Sequence, residues 1–498
     1  MAAFQSQHPS ASLLKGLSHF EKKQYPEAIT ELDLALAAKL LSKEALRARG
    51  MAHFHQKNYK AALADLNEAI RLNAQDKELF ATRGICKYEL GDMKGAAEDL
   101  AKAAQMGLAD ALALYTLGNA HFRLEQYAEA IKGYDQAEQA GMKNDAVLYN
   151  NRGKAKLLLK QEAAAIEDYT KALAIKANYE RAYAGRGTAY FAQKDYAKAQ
   201  SDLSQARTQG NQEPEVALLL ARSLVALRKY PDAITAYDQA KTLAPLQPED
   251  HLGRGTALYE TGKKTEALEP LKLARQSGAS SVELHTMLGL AAFDQKDYTE
   301  AIKSLTKAVE LGGSFAELHL ALGKAHLETK NITEAKNHLE KALELGVKEA
   351  TVLMALGKIY FEEKNTEKAL VYLDRVIAAG YQDALPHRYR GLIYFGQKNH
   401  SKALPDLVKA KELGDISPEL LGALGQSQYQ TKDYPGAAAN LSEAIQRGAK
   451  NTDLYKSLGL AQYEMKKYAE ASTALSTALQ MGETQGELYK KLGISYFH

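Results

Sequence analysis

VELHTMLGLAAFDQKDYTEAIKSLTKAVELGGSF, residues 282–315, decides the fold. Its first half sets Leu284, Met287, Leu288, Ala291 and Ala292 at the i, i+3, i+4, i+7, i+8 spacing that gathers apolar side chains on one helix face. Its second half does the same with Ala301, Ile302, Leu305, Ala308 and Val309. Asp297, followed three residues later by Glu300, reads as a capping box opening that second helix. Gly312 stands where a left-handed residue would close it and let the chain reverse. The unit is a helical hairpin. It cannot bury both apolar faces alone, so its partner must be another copy.

The copies are present. At a period of 34 residues, broken once by an extra residue near 142–145, a glycine recurs in the first helix (Gly16, Gly50, Gly84 and onward to Gly493), with Ala221 in one slot. Twelve residues after each slot comes an alanine, from Ala28 to Ala471. Small residues at both places let the two helices approach closely. Repeats are expected to begin near residues 9, 43, 77, 111, 146, 180, 214, 248, 282, 316, 350, 384, 418, 452 and 486. Residues 1–8 read as a flexible tail and 9–498 as one continuous array, with no linker, charge block or low-complexity segment.

Composition narrows the function. The 64 basic and 61 acidic residues leave a net charge of +3, without the basic field of a nucleic-acid binder. Cys86 is the single cysteine, which excludes an intrachain disulfide or a cysteine metal cluster. No stretch reaches the roughly 18 apolar residues of a membrane span, and the N-terminus lacks the pattern of a secretory signal. A cytoplasmic location is therefore expected.

Glycine at the eighth position, alanine at the twentieth and near the twenty-seventh, and aromatic residues at the eleventh, twelfth and seventeenth resemble the tetratricopeptide repeat. The resemblance covers almost the whole chain. It implies an all-α, right-handed superhelical solenoid of fourteen full helix-turn-helix repeats and a fifteenth first helix, and it implies binding without saying what is bound. The chain departs from the family at the repeat end, where a proline survives clearly only as Pro245 and glycine replaces it in most copies.

Among the copies one internal rule stands out. The seventh position is arginine in Arg49, Arg83, Arg152, Arg186, Arg254 and Arg390, and sixteen residues on, five of these six copies place Asp65, Asp99, Asp168, Asp202 and Asp406; the exception is Pro270, opposite Arg254. None of the seven copies with leucine there has an acid at the partner place, and the first copy has Lys15 with Glu31. An ion pair linking the two helices of one repeat is expected.

In the resembled family, positions two, five, nine, twelve and thirteen of the first helix line a concave groove. Carried onto this chain, they place Glu249, Glu260, Glu283, Asp294, Glu317, Glu328 and Glu362 on one acidic surface, interleaved with Tyr259, Phe293, Phe361 and Phe395. A protein segment with basic and apolar side chains is the expected partner there. Against this stand helix-end roles for the second-position glutamates and i, i+4 pairs of Lys324 with Glu328 and Lys358 with Glu362. The family's carboxylate clamp needs lysine and asparagine at positions five and nine together; no copy has both, for Asn119 is preceded by Tyr115. The sixth-position asparagine ladder of some sugar-transferase arms is represented only by Asn151.

Histidine at the fourth position, in His251, His285, His319 and His387, reads as a packed ring rather than a metal ladder, and His319 with His326 is a weak metal signal. No catalytic constellation, cofactor motif or phosphate loop is present. The expectation is a non-catalytic protein-interaction scaffold with no cofactor or metal. The alternatives are the recognition arm of a larger enzyme and a self-assembling structural protein. Leu488, Leu492, Tyr496 and Phe497 in the last helix lack a covering second helix, which suggests a longer protein or a homo-oligomer joined through that end.

Overall fold

The computed structural model of the protein describes residues 9–39 and 42–497. The expected tail, 1–8, lies outside them. Among the described residues there are 29 helices of 12 to 14 residues and no strand, the all-α repeat solenoid. Two compact units divide it, Met1–Ser277 and Gly278–His498. The first carries eight hairpins between Pro9 and Gln276; the second carries six between Val282 and Gln480, then the helix Gly486–Phe497. Within each unit the second helix of a hairpin packs on its own first helix and on the first helix of the following repeat, and successive first helices touch except Ala316–Glu328 and Ala350–Glu362.

The repeat at 282 shows why. Its helices, Val282–Asp294 and Tyr298–Glu310, bury Leu284, Leu288, Ala291, Ala301, Leu305 and Ala308 completely. A Cβ on Gly289 would stand 2.5 Å from Leu305 Cγ, so the position must be glycine for this approach. Asp297 caps the second helix by accepting the Glu300 N–H at 3.1 Å, but the other half of the expected capping box is taken up elsewhere. The Asp297 N–H goes to the Ala292 carbonyl and the Glu300 carboxylate receives the Ser304 hydroxyl. Gly312, at φ +93, ends the hairpin as expected. The turn inside each hairpin carries a feature the sequence did not announce: its left-handed residue is usually a lysine, such as Lys296 at φ +61, a conformation that costs a non-glycine residue about 1–2 kcal/mol.

The arginine–aspartate rule holds in three dimensions and does more than expected. Arg186 donates through Nε and Nη2 to both oxygens of Asp202, at 2.7 and 3.0 Å, joining the two helices of one repeat. Its remaining Nη1 reaches sixteen residues back to the Thr170 hydroxyl of the preceding repeat, at 3.1 Å. Arg49 likewise grips Asp65 and reaches Asp33, Arg83 grips Asp99 and reaches Asn67, and Arg390 grips Asp406 and reaches Asp374. Arg152, almost fully buried, holds Asp168 and reaches Asp135 and Glu138. Each guanidinium is thus a three-point clasp between consecutive repeats. Arg254, which faces Pro270 in its own repeat, keeps only the backward half, to Asp238 at 2.9 Å. Lys15 and Glu31 make no such pair: Glu31 Oε2 is buried without a hydrogen-bond partner among the described residues.

Where the seventh position is Leu322, the partner place holds His338. This ring stacks on His319 and His326, with His319 Nδ1 2.9 Å from His338 Nδ1. Burial, then the neighbouring His319 and His326, push the His338 imidazole down to about 4. Burial lowers His319 and His326 too. The fourth-position rings His285 and His319 are buried, as packing groups should be. At the chain's last helix Leu488 is buried against Leu475 and Ala478, contrary to the expectation that it stands uncovered, while Tyr496 and Phe497 are exposed.

Two outcomes follow from these contacts. Asp202→Ala strands a largely buried guanidinium and should cost about 3 kcal/mol, the lower end for a buried pair, because Arg186 keeps some solvent contact. Arg186→Met with Asp202→Leu should come out near neutral, and a urea-melt double-mutant cycle without coupling would remove the clasp as a stabilising link. For the histidines, the neutral form is favoured when folded and the proton is taken up near pH 6.5 when unfolded. Stability from this cluster is therefore complete above about pH 6.5 and is lost as pH falls toward about 4. Melting of the wild type should drop between pH 7 and 5 and flatten in His338→Leu; parallel curves would assign the loss to other groups.

Candidate functional site

The residues expected to line the groove lie on first helices in both units. In the second unit, Phe293 and Glu328 line one cavity of about 350 Å³ with Lys324, Leu327, Thr351 and Ala355. The Lys324 ammonium bonds Glu349 at 2.7 Å, across to the next repeat, and not Glu328 as the i, i+4 spacing suggested. Glu328 and Glu317 are left exposed. Lys358 does approach Glu362, at 3.7 Å. Glu283 serves its own helix start: its backbone N–H and Ser281 hold the carboxyl below the usual range. Asp294 is exposed.

The aromatic residues at position twelve have structural work. Phe293 meets Tyr298 edge-on at 5.8 Å, Phe395 meets His400 at 5.6 Å, and Phe361 packs on Tyr389 at 4.7 Å between centroids. Of the expected residues in the first unit, Glu249 reaches Arg222 at 3.2 Å and Tyr259 lies under the Lys264 ammonium at 5.4 Å, whereas Glu260 is exposed.

A larger cavity, about 680 Å³, opens in the first unit where no site was expected. It runs from Tyr88 to Val216 and is lined chiefly by groove positions of consecutive first helices, Lys77–Glu89, Ala111–Arg123, Ala146–Leu158, Glu180–Ala192 and Pro214–Ala226. Its floor comes from the second helices. At position twenty-four, where other copies have leucine, three have tyrosine: Tyr134, Tyr169 and Tyr237. A leucine stops at the facing glycine, but a tyrosine continues past it toward the concave side. The Tyr134 hydroxyl emerges to donate to Asn119 Oδ1 at 2.8 Å. Asn151 Nδ2 donates to the Tyr115 hydroxyl at 2.9 Å and to Asn119 Oδ1 at 3.4 Å, and Asn150 Nδ2 donates to Asn151 Oδ1 at 3.3 Å. Burial raises the Tyr115, Tyr134 and Tyr169 phenols, so all three stay protonated donors at neutral pH. Tyr169 needs Gly185 opposite, because a Cβ there would fall 2.5 Å from its hydroxyl.

Tyr115, Asn119 and Asn151 were legible only as fragments of two different ladders. What joins them is Tyr134, and its signal was a tyrosine in a leucine column. Among the described residues no group of three or more His, Cys, Asp or Glu side chains is disposed to hold a metal ion. No helix in them is long and apolar enough to cross a membrane.

Sequence-family models described as tetratricopeptide repeat match residues 13–77, 83–145, 218–282 and 423–486, and related models of the same description match 292–350 and 350–379. A model for the anaphase-promoting complex, cyclosome, subunit 3, matches 159–240. No curated protein matches the chain. Among solved structures it is similar to YrrB, described as a TPR protein with an unusual peptide-binding site, at 22% identity and TM-score 0.32, covering 36% of this chain and 91% of that one. It is also similar to a tetratricopeptide repeat protein from Parabacteroides merdae, at 19% and 0.33, covering 51% and 99%. A third is the structure of Naa15/Naa10 bound to HypK-THB, at 13% and 0.36, covering 99% and 96%. One repeat model alone accounts for more than half of the sequence, and the hairpins it describes are the hairpins of the fold; the chain belongs to the tetratricopeptide repeat family, which supports a protein-interaction scaffold in general.

Proposed function

We propose that this chain is a non-catalytic scaffold that holds extended protein segments against the groove faces of its first helices. The observation that carries this reading is the 680 Å³ cavity, which spans several repeats and is lined by groove positions rather than by gaps in the packing. Its amides and phenols are fixed by one another through the Tyr134–Asn119–Asn151–Tyr115 chain, so a bound segment meets donors and acceptors already in place. Aromatic rings supply the apolar area, and the network orients it.

In the second unit a separate observation favours a basic, apolar segment. The cavity beside Phe293 has an exposed Glu328 whose nearest lysine on the same face is engaged by Glu349. That leaves the glutamate's charge available to an incoming cation.

Photo-cross-linking tests the scaffold directly. A benzoylphenylalanine at Thr188, inside the first-unit cavity, should give protein adducts in native extract, and one at exposed Lys341 on a second helix should not. Asn151→Ala should weaken the Thr188 adduct several-fold. In the second unit, an adduct from Thr351 should vanish in Glu317→Lys with Glu328→Lys. Adducts from Lys341 with none from Thr188 or Thr351 would move binding off the grooves.

A further inference from the structure

Charge along the first-unit groove is not uniform. In repeats four to six, positions two, five, nine, twelve and thirteen include Arg123, Lys154 and Arg181 and no acid. Elsewhere groove cations have an acid at hand: near the start of the next repeat, Arg47 has Asp76, Arg222 has Asp250, Arg388 has Asp415 and Lys456 has Glu483, while Lys358 approaches Glu362 of its own helix. Here that acid is withdrawn. Asp145, at the start of repeat five, is occupied with the N–H groups of Val147 and Leu148, and Tyr179 takes the equivalent place before repeat six.

The three cations are accordingly underused. Arg123 is exposed, with no carboxylate within ion-pair distance among the described residues. Lys154 is exposed and lies over the Phe122 ring at 6.0 Å. Arg181 has only its chain neighbour Glu180, at 3.8 Å, on a strongly exposed side chain. All three line the 680 Å³ cavity.

Between them the cavity wall offers one unpaired polar atom. Asn150, which lines the cavity, is more than nine-tenths buried; its Nδ2 is spent on Asn151, and its Oδ1 has no hydrogen-bond donor among the described residues. Asn119 is already engaged, its Oδ1 receiving two hydrogen bonds and its side-chain amide bonded to the Tyr115 phenol. An acceptor at Asn150 matches the N–H groups that an extended backbone presents. Glu213 and Glu215 close the far end, so negative charge is welcome over repeats four to six and repelled at repeat seven.

We propose that the cavity across repeats four to six takes an extended acidic peptide segment, its carboxylates on Arg123, Lys154 and Arg181 and a backbone N–H on the Asn150 Oδ1. This deepens the scaffold reading and rests on it. A single-stranded nucleic acid would also use cations and rings. Glu213 and Glu215 at the groove's end and a net charge of only +3 favour the peptide.

Fluorescence anisotropy with three labelled probes tests it: a peptide of about twelve residues built from Gly-Glu-Leu-Glu, its counterpart with lysine for glutamate, and an oligouridine of similar length. The acidic peptide should bind tightest, and more weakly as salt rises. Arg123→Glu with Lys154→Glu, both exposed and safe for folding, should weaken it at least about tenfold and leave Asn150→Leu to weaken it further. Tighter binding of oligouridine, or of the lysine peptide, overturns the proposal. So does equal binding of both peptides; if Asn150→Leu weakens both alike, the groove survives and only the acidic class falls. If no probe binds while Thr188 adducts persist, the acidic class falls and the scaffold stands; if the adducts are absent too, both fall.

Discussion

Two helices can cross closely only where one of them gives up its side chain or keeps a very small one, and in this molecule that place is the eighth position, glycine in every hairpin but the one with Ala221. At Gly289 a single added carbon would sit inside Leu305, and Gly187 and Gly425 meet Leu203 and Leu441 in the same way. The hairpin angle, the burial of the alanines opposite and the seating of each second helix on the next repeat all descend from that contact. A stack with only neighbour contacts has no distant core to correct a local error, so the constraint must be met again in each copy.

Close packing sets the distance between helices but does little to fix which repeat sits on which. Leucine at the seventh position adds no polar contact of its own to that choice. Arginine there adds direction, because a planar guanidinium has three donor edges in a fixed fork. Two go forward to the aspartate of its own repeat and one goes back to the repeat before, as Arg49 shows with Asp65 and Asp33. Co-occurrence of arginine and aspartate made the forward half readable from sequence. The backward half was hidden, since its acceptor is Asp33 in one copy, Asn67 in another and Thr170 in a third: different side chains that share only an oxygen within reach.

Periodicity revealed the fold because each copy repeats the same burial problem, and the glycine, alanine and leucine columns record its solution. The site was less legible for the opposite reason. A binding surface is where copies differ, and a column average hides differences. Reading acids down the groove found Glu317 and Glu328, which are exposed, but it also counted Glu283, which is occupied at its own helix start, and Glu249, which is held by Arg222. It passed over Tyr115, Asn119 and Asn151, since each was compared with a motif inside a single helix. Their network crosses repeats, and spacing within one helix carries no information about that.

The link between the two levels is position twenty-four. Leucine there serves only the hairpin: it fills the space beside the glycine and ends. Tyrosine fills the same space with its ring, as the complete burial of Tyr134 shows, and then has a hydroxyl left over that must find water or a partner. The following repeat answers at its sixth position, with Asn151 after Tyr134, Gly185 after Tyr169 and Gly253 after Tyr237. Glycine clears a path for the phenol, and asparagine joins the network around it. A change made in the core of one repeat thus rewrites the surface of the next. Two consecutive tyrosines, Tyr134 and Tyr169, underlie the large cavity. In this chain the groove is shaped from behind, by the helices that do not face it.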